Sequence, residues 1–205
     1  MWQDLITRVE TYVNHEANHT VSSIGSMLPD LSQILNCYCI QEEGLPYGRY
    51  LVHIDRQKRF NIQLDIFSEH YAGQIHCHES WGLLAVIKGS LICEQWSETA
   101  DRNFLKTSET LLTRGSSQTF CPPASDWHKV ITASPGEQVL SMHIYGEGFN
   151  LDKGIYLDDS FLKHHATRSN FKPLECISPF IQVRGKPEPS SMYLPEKETT
   201  ASPYQ

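Results

Sequence analysis

The strongest indication of the fold lies in the stretch Gly73-Gln74-Ile75-His76-Cys77-His78-Glu79-Ser80-Trp81-Gly82-Leu83-Leu84-Ala85-Val86-Ile87-Lys88-Gly89. Side chains alternate between the two faces of an extended strand, so His76 and His78 would point one way and Cys77 the other. The apolar run that follows, with Lys88-Gly89 as its turn, supports extended structure. Two convergent neutral imidazoles suit a divalent transition metal. The pair alone would equally fit two solvated histidines on a surface strand, so the rest of the chain must decide.

Around this stretch, apolar and polar residues alternate in a way that predicts many short strands. The pattern begins at Tyr50–Ile54 and Phe60–Phe67 and continues to about residue 160. Residues 1–36 instead carry apolar residues three and four positions apart, which predicts helices. We therefore expect one all-β domain over residues 1–184, a sandwich or small antiparallel barrel with N-terminal helices over about 1–36. Residues 185–205 are polar and proline-rich, which predicts a flexible C-terminal tail.

Composition excludes several classes of function. The chain of 205 residues has a net charge of −7 and no block of Lys or Arg, which argues against nucleic acid as a partner. It has neither the roughly 18-residue apolar run of a membrane span nor a signal-peptide pattern at its start. The six cysteines include no Cys-x-x-Cys pair, so reduced thiols are expected. We expect a cytoplasmic protein, without a membrane partner, that is a monomer or a weak homo-oligomer.

A third candidate metal ligand follows in Pro122-Pro123-Ala124-Ser125-Asp126-Trp127-His128-Lys129-Val130. Turn-forming prolines and a following β-branched run place His128 at the start of a strand, from which it can return to His76 and His78. The two segments together resemble the double motif of cupins, a Gly…His-x-His…Gly strand pair and a Pro-x-x-x-x-His turn. Gly82 stands where that motif usually carries its glutamate, and we expect Glu79 to point elsewhere. The acidic ligand is therefore missing.

A cupin with three histidines and no glutamate resembles the cysteine dioxygenase family of non-haem iron thiol dioxygenases. In Val139-Leu140-Ser141-Met142-His143-Ile144-Tyr145, the polar residues Ser141, His143 and Tyr145 share one strand face, as in that family's Ser-His-Tyr relay. Leu45-Pro46-Tyr47-Gly48-Arg49-Tyr50-Leu51-Val52 resembles the segment whose arginine binds the substrate carboxylate. The resemblance covers roughly residues 45–160.

This resemblance implies an iron(II) ion, one per chain, held by His76, His78 and His128. It also implies Arg49 as carboxylate clamp, with Tyr47 as its neighbour in the pocket. The substrates would be dioxygen and a small thiol whose thiolate and amine can occupy two open metal positions. Mammalian members carry a cysteine, crosslinked to the relay tyrosine, where this chain has Gly82. Like the bacterial members, which have glycine there, it should keep Tyr145 as a free phenol.

Several alternatives remain open at this point. Within the enzyme class, L-cysteine is favoured as substrate because mercaptopropionate-selective relatives usually place glutamine where Arg49 stands, and 3-mercaptopropionate or a related mercapto acid comes second. The three histidines would also fit another metal in an isomerase, a lyase or a metal-dependent sensor. Taken alone, Ser141, His143 and Tyr145 would fit a solvated strand face, and Arg49 a surface charge. A non-enzymatic cupin that binds a metal or ligand is the competing class of function.

Overall fold

The computed structural model describes residues 2–15, 23, 38–40, 47–78, 80–121, 127–133, 136–147, 153–157, 163–167 and 181–183. One long helix, α1 (Trp2–His15), precedes the strands. The strands are β1 (Tyr38–Ile40), β2 (Gly48–Ile54), β3 (Phe60–Phe67), β4 (His76–Cys77), β5 (Gly82–Lys88), β6 (Ser90–Glu98), β7 (Phe104–Thr113), β8 (Ser117–Phe120), β9 (His128–Thr132), β10 (Val139–Gly146), β11 (Lys153–Leu157), β12 (Lys163–Thr167) and β13 (Ile181–Val183). The second helix predicted before residue 36, the proline turn at 122–126, Glu79 and the tail at 185–205 lie outside the described residues.

Antiparallel pairing joins these strands into two large sheets and one small one within the described ranges. The five-stranded sheet has the order β2-β3-β10-β5-β8, and the six-stranded sheet has the order β12-β11-β4-β9-β6-β7. β1 and β13 form a separate pair. Sequence neighbours such as β3 and β4 therefore belong to different sheets, which brings distant segments together at the centre of each sheet.

Helix α1 packs on the outer face of the five-stranded sheet. Leu5, Ile6, Val9 and Tyr12 are buried along one stripe of the helix, as the 3.6-residue period requires. They belong to one apolar cluster with the even-numbered residues of β3 and β10, including Met142 and Ile144. This contact buries one whole face of the central strands.

The opposite face of the five-stranded sheet packs against the six-stranded sheet. A second apolar cluster combines residues of the first sheet (Phe67, Leu84, Val86, Phe120, Val139) with residues of the second (Leu91, Cys93, Leu112, Val130). All eight residues of β3 and all eight of β10 are buried, since both faces of these strands are covered. Their odd-numbered polar residues must therefore find partners between the sheets.

A charged turn fixes the hairpin that connects β2 to β3. The Asp55 carboxylate accepts hydrogen bonds from the backbone N–H groups of Gln57 and Arg59 and from the Arg59 guanidinium. The guanidinium hydrogen bond holds the pKa of Asp55 well below its usual range. Lys58 takes a positive φ of 60° at the tip of the turn. The turn sets the register in which Arg49 of β2 lies opposite Asp65 of β3.

The antiparallel all-β architecture that we predicted from the sequence is confirmed, and a helix precedes its strands. The strand predicted from Tyr50 begins two residues earlier, as Gly48–Ile54, and Phe60–Phe67 agrees at both ends. No helix in the described part of the chain has the length and apolar character needed to cross a membrane.

Replacing Met142 with alanine should destabilise the fold by about 2–5 kcal/mol, because its fully buried side chain fills the layer between α1 and the sheet. Chemical denaturation would measure this loss. Leu105→Ala is the matched control, since Leu105 is 61% exposed on β7 and its truncation should stay within about 0.5 kcal/mol. Similar losses in the two variants would contradict the layered packing.

Candidate metal centre

Three histidines converge at one place between the sheets. His76 lies on β4, His78 is the first residue after β4, and His128 begins β9. His76 and His128 are paired residues in neighbouring antiparallel strands, which brings residues 52 positions apart in the chain side by side. One nitrogen from each ring lies within 4.8 Å of the others, and all three residues are buried. The structure therefore assembles the three histidines that the sequence indicated.

Two of the rings are held by further contacts. His76 Nδ1 lies 2.9 Å from the Gln74 carbonyl oxygen. A carbonyl only accepts, so Nδ1 carries the hydrogen and Nε2 keeps a lone pair for a metal. His128 is stacked on Phe120, with ring centroids 4.2 Å apart and an interplanar angle of 18°. These contacts fix the ring orientations before any ion binds.

The donor set fits a divalent transition metal. Three neutral imidazoles give borderline ligands suited to iron, zinc, copper or nickel rather than to calcium or magnesium. Among the described residues the cluster consists of histidines only, so these donors leave a bound ion its full positive charge. The group could hold a metal ion that retains open positions for a substrate.

A chain of hydrogen bonds reaches the cluster from the facing sheet. Ser141 Oγ lies 2.8 Å from His143 Nε2, and His143 Nδ1 lies 3.0 Å from the Tyr145 hydroxyl. That hydroxyl lies 3.3 Å from His78 Nε2. The three residues alternate along β10 with buried Leu140, Met142 and Ile144, so they line the inner face of the strand. The shared face predicted from the sequence is present, and it is buried rather than solvated.

The charge around His143 favours one tautomer. The Asp65 Oδ2 atom lies 3.8 Å from His143 Nε2. A nearby carboxylate favours the hydrogen on that nitrogen, from which it can be donated to Ser141 Oγ. Nδ1 then accepts from the Tyr145 hydroxyl, whose oxygen faces His78. The phenol is thereby oriented beside the metal position.

Arg49 lies on β2, opposite Asp65 of β3. Its Nε is 3.3 Å from Asp65 Oδ2, and its side chain is 22% exposed. Tyr47 precedes β2 and is about half exposed. The carboxylate clamp and its tyrosine neighbour remain predictions, but Arg49 is linked through Asp65 to the chain that ends at His78.

Gly82 lies against the ring of Tyr145, its partner in the β5–β10 pairing. A Cβ atom at position 82 would lie 2.9 Å from Tyr145 Cδ1 and 3.1 Å from Cε1. Glycine thus permits the observed ring position, and no sulfur from residue 82 can reach the ring. The uncrosslinked Tyr145 remains a prediction that the intact mass of the protein would test.

Sequence reasoning missed the polar inner face of β3. Asn61, Gln63 and Asp65 alternate with Ile62, Leu64 and Ile66, and all are buried. The alternation was visible, but it does not tell which face meets solvent. It also missed Gln95 of β6, which pairs with His128.

Trp81 and Cys93 also have definite environments. Trp81 contacts the Tyr12 ring of α1 edge to face and lies against Gly146, so it packs toward the helix. Cys93 is buried, and this burial raises the pKa of its thiol to about 12. Cys93 is therefore an inert core residue.

No protein-family model matches the chain. Among solved structures, an RmlC-like cupin protein from Ralstonia eutropha JMP134 is 17% identical, with 63% of this chain and 74% of that chain covered and a TM-score of 0.41. A cupin superfamily protein from Desulfitobacterium hafniense DCB-2 is 11% identical, with 51% and 83% covered and a TM-score of 0.37. Recombinant oxalate oxidase in complex with glycolate is 12% identical, with 54% and 56% covered and a TM-score of 0.39.

Each of the single substitutions His76→Ala, His78→Ala and His128→Ala should abolish metal retention while the protein stays folded. A site with three protein ligands loses its geometry when any one ligand is removed. Metal analysis after loading with iron(II), alongside circular dichroism, would measure this. The matched control is His70→Ala, an exposed histidine outside the cluster, which should keep the metal. Near-stoichiometric metal in a variant would remove its residue from the ligand set.

Gly82→Ala should lower the free energy of unfolding by about 1–3 kcal/mol, because the added methyl group overlaps the Tyr145 ring. Chemical denaturation would measure the loss. In a Tyr145→Ala background the same substitution should be nearly neutral, since the overlapping ring is gone. If Gly82→Ala lowers the free energy of unfolding by the same amount in that background, the overlap is with a neighbour other than the Tyr145 ring.

Proposed function

We propose that this protein is an iron(II)-dependent thiol dioxygenase acting on a small thiol carboxylate, with L-cysteine converted to cysteine sulfinate as the most favoured reaction. One observation carries the proposal, namely the hydrogen-bonded chain from Ser141 through His143 to Tyr145, which ends 3.3 Å from His78 in an all-histidine cluster. A cupin that merely binds a metal has no evident use for a phenol held there by two further buried polar residues.

The reaction is balanced without another reductant. A thiol and dioxygen combine so that both oxygen atoms become bonded to sulfur, and the thiol proton is released with the sulfinate. Sulfur supplies all the electrons that dioxygen takes up. Iron(II), when bound, would lower the pKa of the thiol and supply the redox chemistry that brings dioxygen and sulfur together.

The protein residues would then bind and orient. Arg49 would hold the substrate carboxylate through its planar fork, which fixes the thiol end toward the three histidines. Tyr47, at the start of the same strand, would border the bound substrate. Tyr145 would place its phenol oxygen beside the oxygen atoms as they add to sulfur, while His143 and Ser141 hold that group in place. Proximity and orientation account for much of the proposed rate.

The general test is oxygen uptake by the iron(II)-loaded protein with L-cysteine, 3-mercaptopropionate and cysteamine, with mass spectrometry for the sulfinate product. Uptake with L-cysteine and a product heavier by two oxygen atoms would support the proposal. Faster uptake with 3-mercaptopropionate would move the assignment to a mercapto acid. Metal retention with no uptake for any thiol would favour a non-enzymatic metal-binding cupin.

Arg49→Ala should reduce the stabilisation of the transition state for L-cysteine by roughly 2–5 kcal/mol, the usual loss when one partner of a desolvated charge pair is removed. This corresponds to about 30-fold to several thousand-fold in kcat/KM. The loss should be far smaller for cysteamine, which has no carboxylate, and Arg49→Lys should recover little because a point charge cannot replace the fork.

Steady-state oxygen uptake would measure both substrates, with Arg56→Ala as the control because Arg56 is an exposed arginine of the β2–β3 turn. Equal losses for cysteine and cysteamine would mean that Arg49 supports the fold or the metal. Unchanged kcat/KM for both substrates would show that Arg49 does not bind the substrate carboxylate.

A further inference from the structure

Asp65 contacts two parts of the proposed site through a single oxygen atom. Its Oδ2 is 3.3 Å from Arg49 Nε and 3.8 Å from His143 Nε2. Cross-strand register explains this placement, because Arg49 and Ser141 are the residues opposite Asp65 on its two neighbouring strands. Asp65 and His143 are both buried, so solvent screens their interaction little. The charge balance at Arg49 and Asp65 therefore acts directly on the His143 ring.

The hydrogens of the chain from Ser141 to Tyr145 can be arranged in two ways without moving a heavy atom. In the first, His143 Nε2–H donates to Ser141 Oγ, 2.8 Å away, and Nδ1 accepts from the Tyr145 hydroxyl, 3.0 Å away. In the second, Ser141 donates to Nε2, and Nδ1–H donates to the phenol oxygen. That oxygen lies 3.3 Å from His78 Nε2. Only the second arrangement leaves the phenol hydrogen to be donated toward the metal position.

Charge beside Nε2 selects between these arrangements. The negative charge of Asp65 stabilises a hydrogen on that nitrogen, and the positive charge of Arg49 opposes this effect. An anion bound to Arg49 would reduce the opposition. The contact with Asp65 is made through Nε, whereas a planar fork to a substrate carboxylate can use the edge formed by Nη1 and Nη2. One guanidinium can therefore hold both anions.

We propose that Asp65 is a positioning residue that couples the binding of a carboxylate at Arg49 to the direction of the Tyr145 hydroxyl hydrogen. A bound carboxylate shifts His143 toward its Nε2–H form, and the phenol then turns its oxygen lone pairs toward the metal position. Because linked equilibria are reciprocal, the Nε2–H form binds the carboxylate more tightly. The inference rests on the proposed function in taking Arg49 as the carboxylate partner. The carboxylate thus contributes to the alignment of the phenol as well as to affinity.

The tautomer of His143 can be measured without turnover. Long-range proton–nitrogen NMR on protein with nitrogen-15-labelled histidine distinguishes a ring nitrogen that carries hydrogen from one that does not. His143→Asn identifies the signals of this residue among the ten histidines. Zinc(II) takes the place of iron(II), because it suits three imidazoles, is diamagnetic and has no redox chemistry. L-cysteine and cysteamine are the matched ligands, since they differ only in the carboxylate.

Saturating L-cysteine should raise the ratio of the Nε2–H to the Nδ1–H form by about fivefold over cysteamine, the lower end of typical couplings between two sites. In Arg49→Ala the two thiols should give the same ratio, since the guanidinium is gone. In Asp65→Asn the fraction of the Nδ1–H form should increase with both thiols, because the positive charge of Arg49 is no longer balanced. The control is Glu109→Gln, which removes an exposed acid on β7 and should behave as wild type.

Equal ratios for the two thiols in the wild-type protein would overturn the inference, and so would a ratio that is already wholly Nε2–H with cysteamine. A difference that persists in Arg49→Ala would overturn it as well, because the carboxylate would then act from another place. Circular dichroism checks the fold of each variant, and the Arg49→Ala comparison decides alone if Asp65→Asn does not fold. If the ratios shift as expected but the iron(II)-loaded protein takes up no oxygen with any thiol, the dioxygenase proposal fails while the coupling stands.

Discussion

The packing of α1 on the five-stranded sheet is the contact on which the rest of the structure depends. A strand has two faces, and this helix covers the apolar face of β3 and β10 with residues such as Leu5 and Val9. With that face buried against the helix, the opposite face no longer has to supply the whole apolar core. It can carry polar residues as long as they are hydrogen-bonded. The chain from Ser141 to Tyr145 is possible because of this division.

Much of the fold and the histidine cluster could be predicted from the sequence, for identifiable physical reasons. The His-x-His pair predicts an extended strand, and the prolines before His128 predict that a strand begins there. The alternation of polar and apolar residues in β10 predicts that its polar residues share one face. The orientation of that face could not be predicted, because alternation has the same pattern whether the polar side meets water or a second sheet. The helix that resolves the ambiguity lies more than a hundred residues away in the chain.

Asp65 shows a second limit of sequence reasoning. In Phe60–Phe67 it occupies one of several polar positions, and its importance arises from neighbours on two other strands, Arg49 and His143. Cross-strand register determines those neighbours, and register depends on the Asp55 turn and on the bulge in β2. Charge pairs of this kind are properties of the assembled sheet. A sequence motif identifies Arg49 as a cation but does not show that Asp65 lies beside it.

The distribution of the site over two sheets has a mechanical consequence. His76 and His128 lie in the six-stranded sheet, and His78 is the residue directly after β4 of that sheet. Tyr145 and His143 lie in the facing sheet. Affinity for a metal therefore depends on the integrity of one sheet, while the approach of the phenol depends on the spacing between two. A slight loosening of the layer around Leu91 and Val139 would separate these properties, leaving a protein that still holds its ion but no longer aligns the hydroxyl beside it.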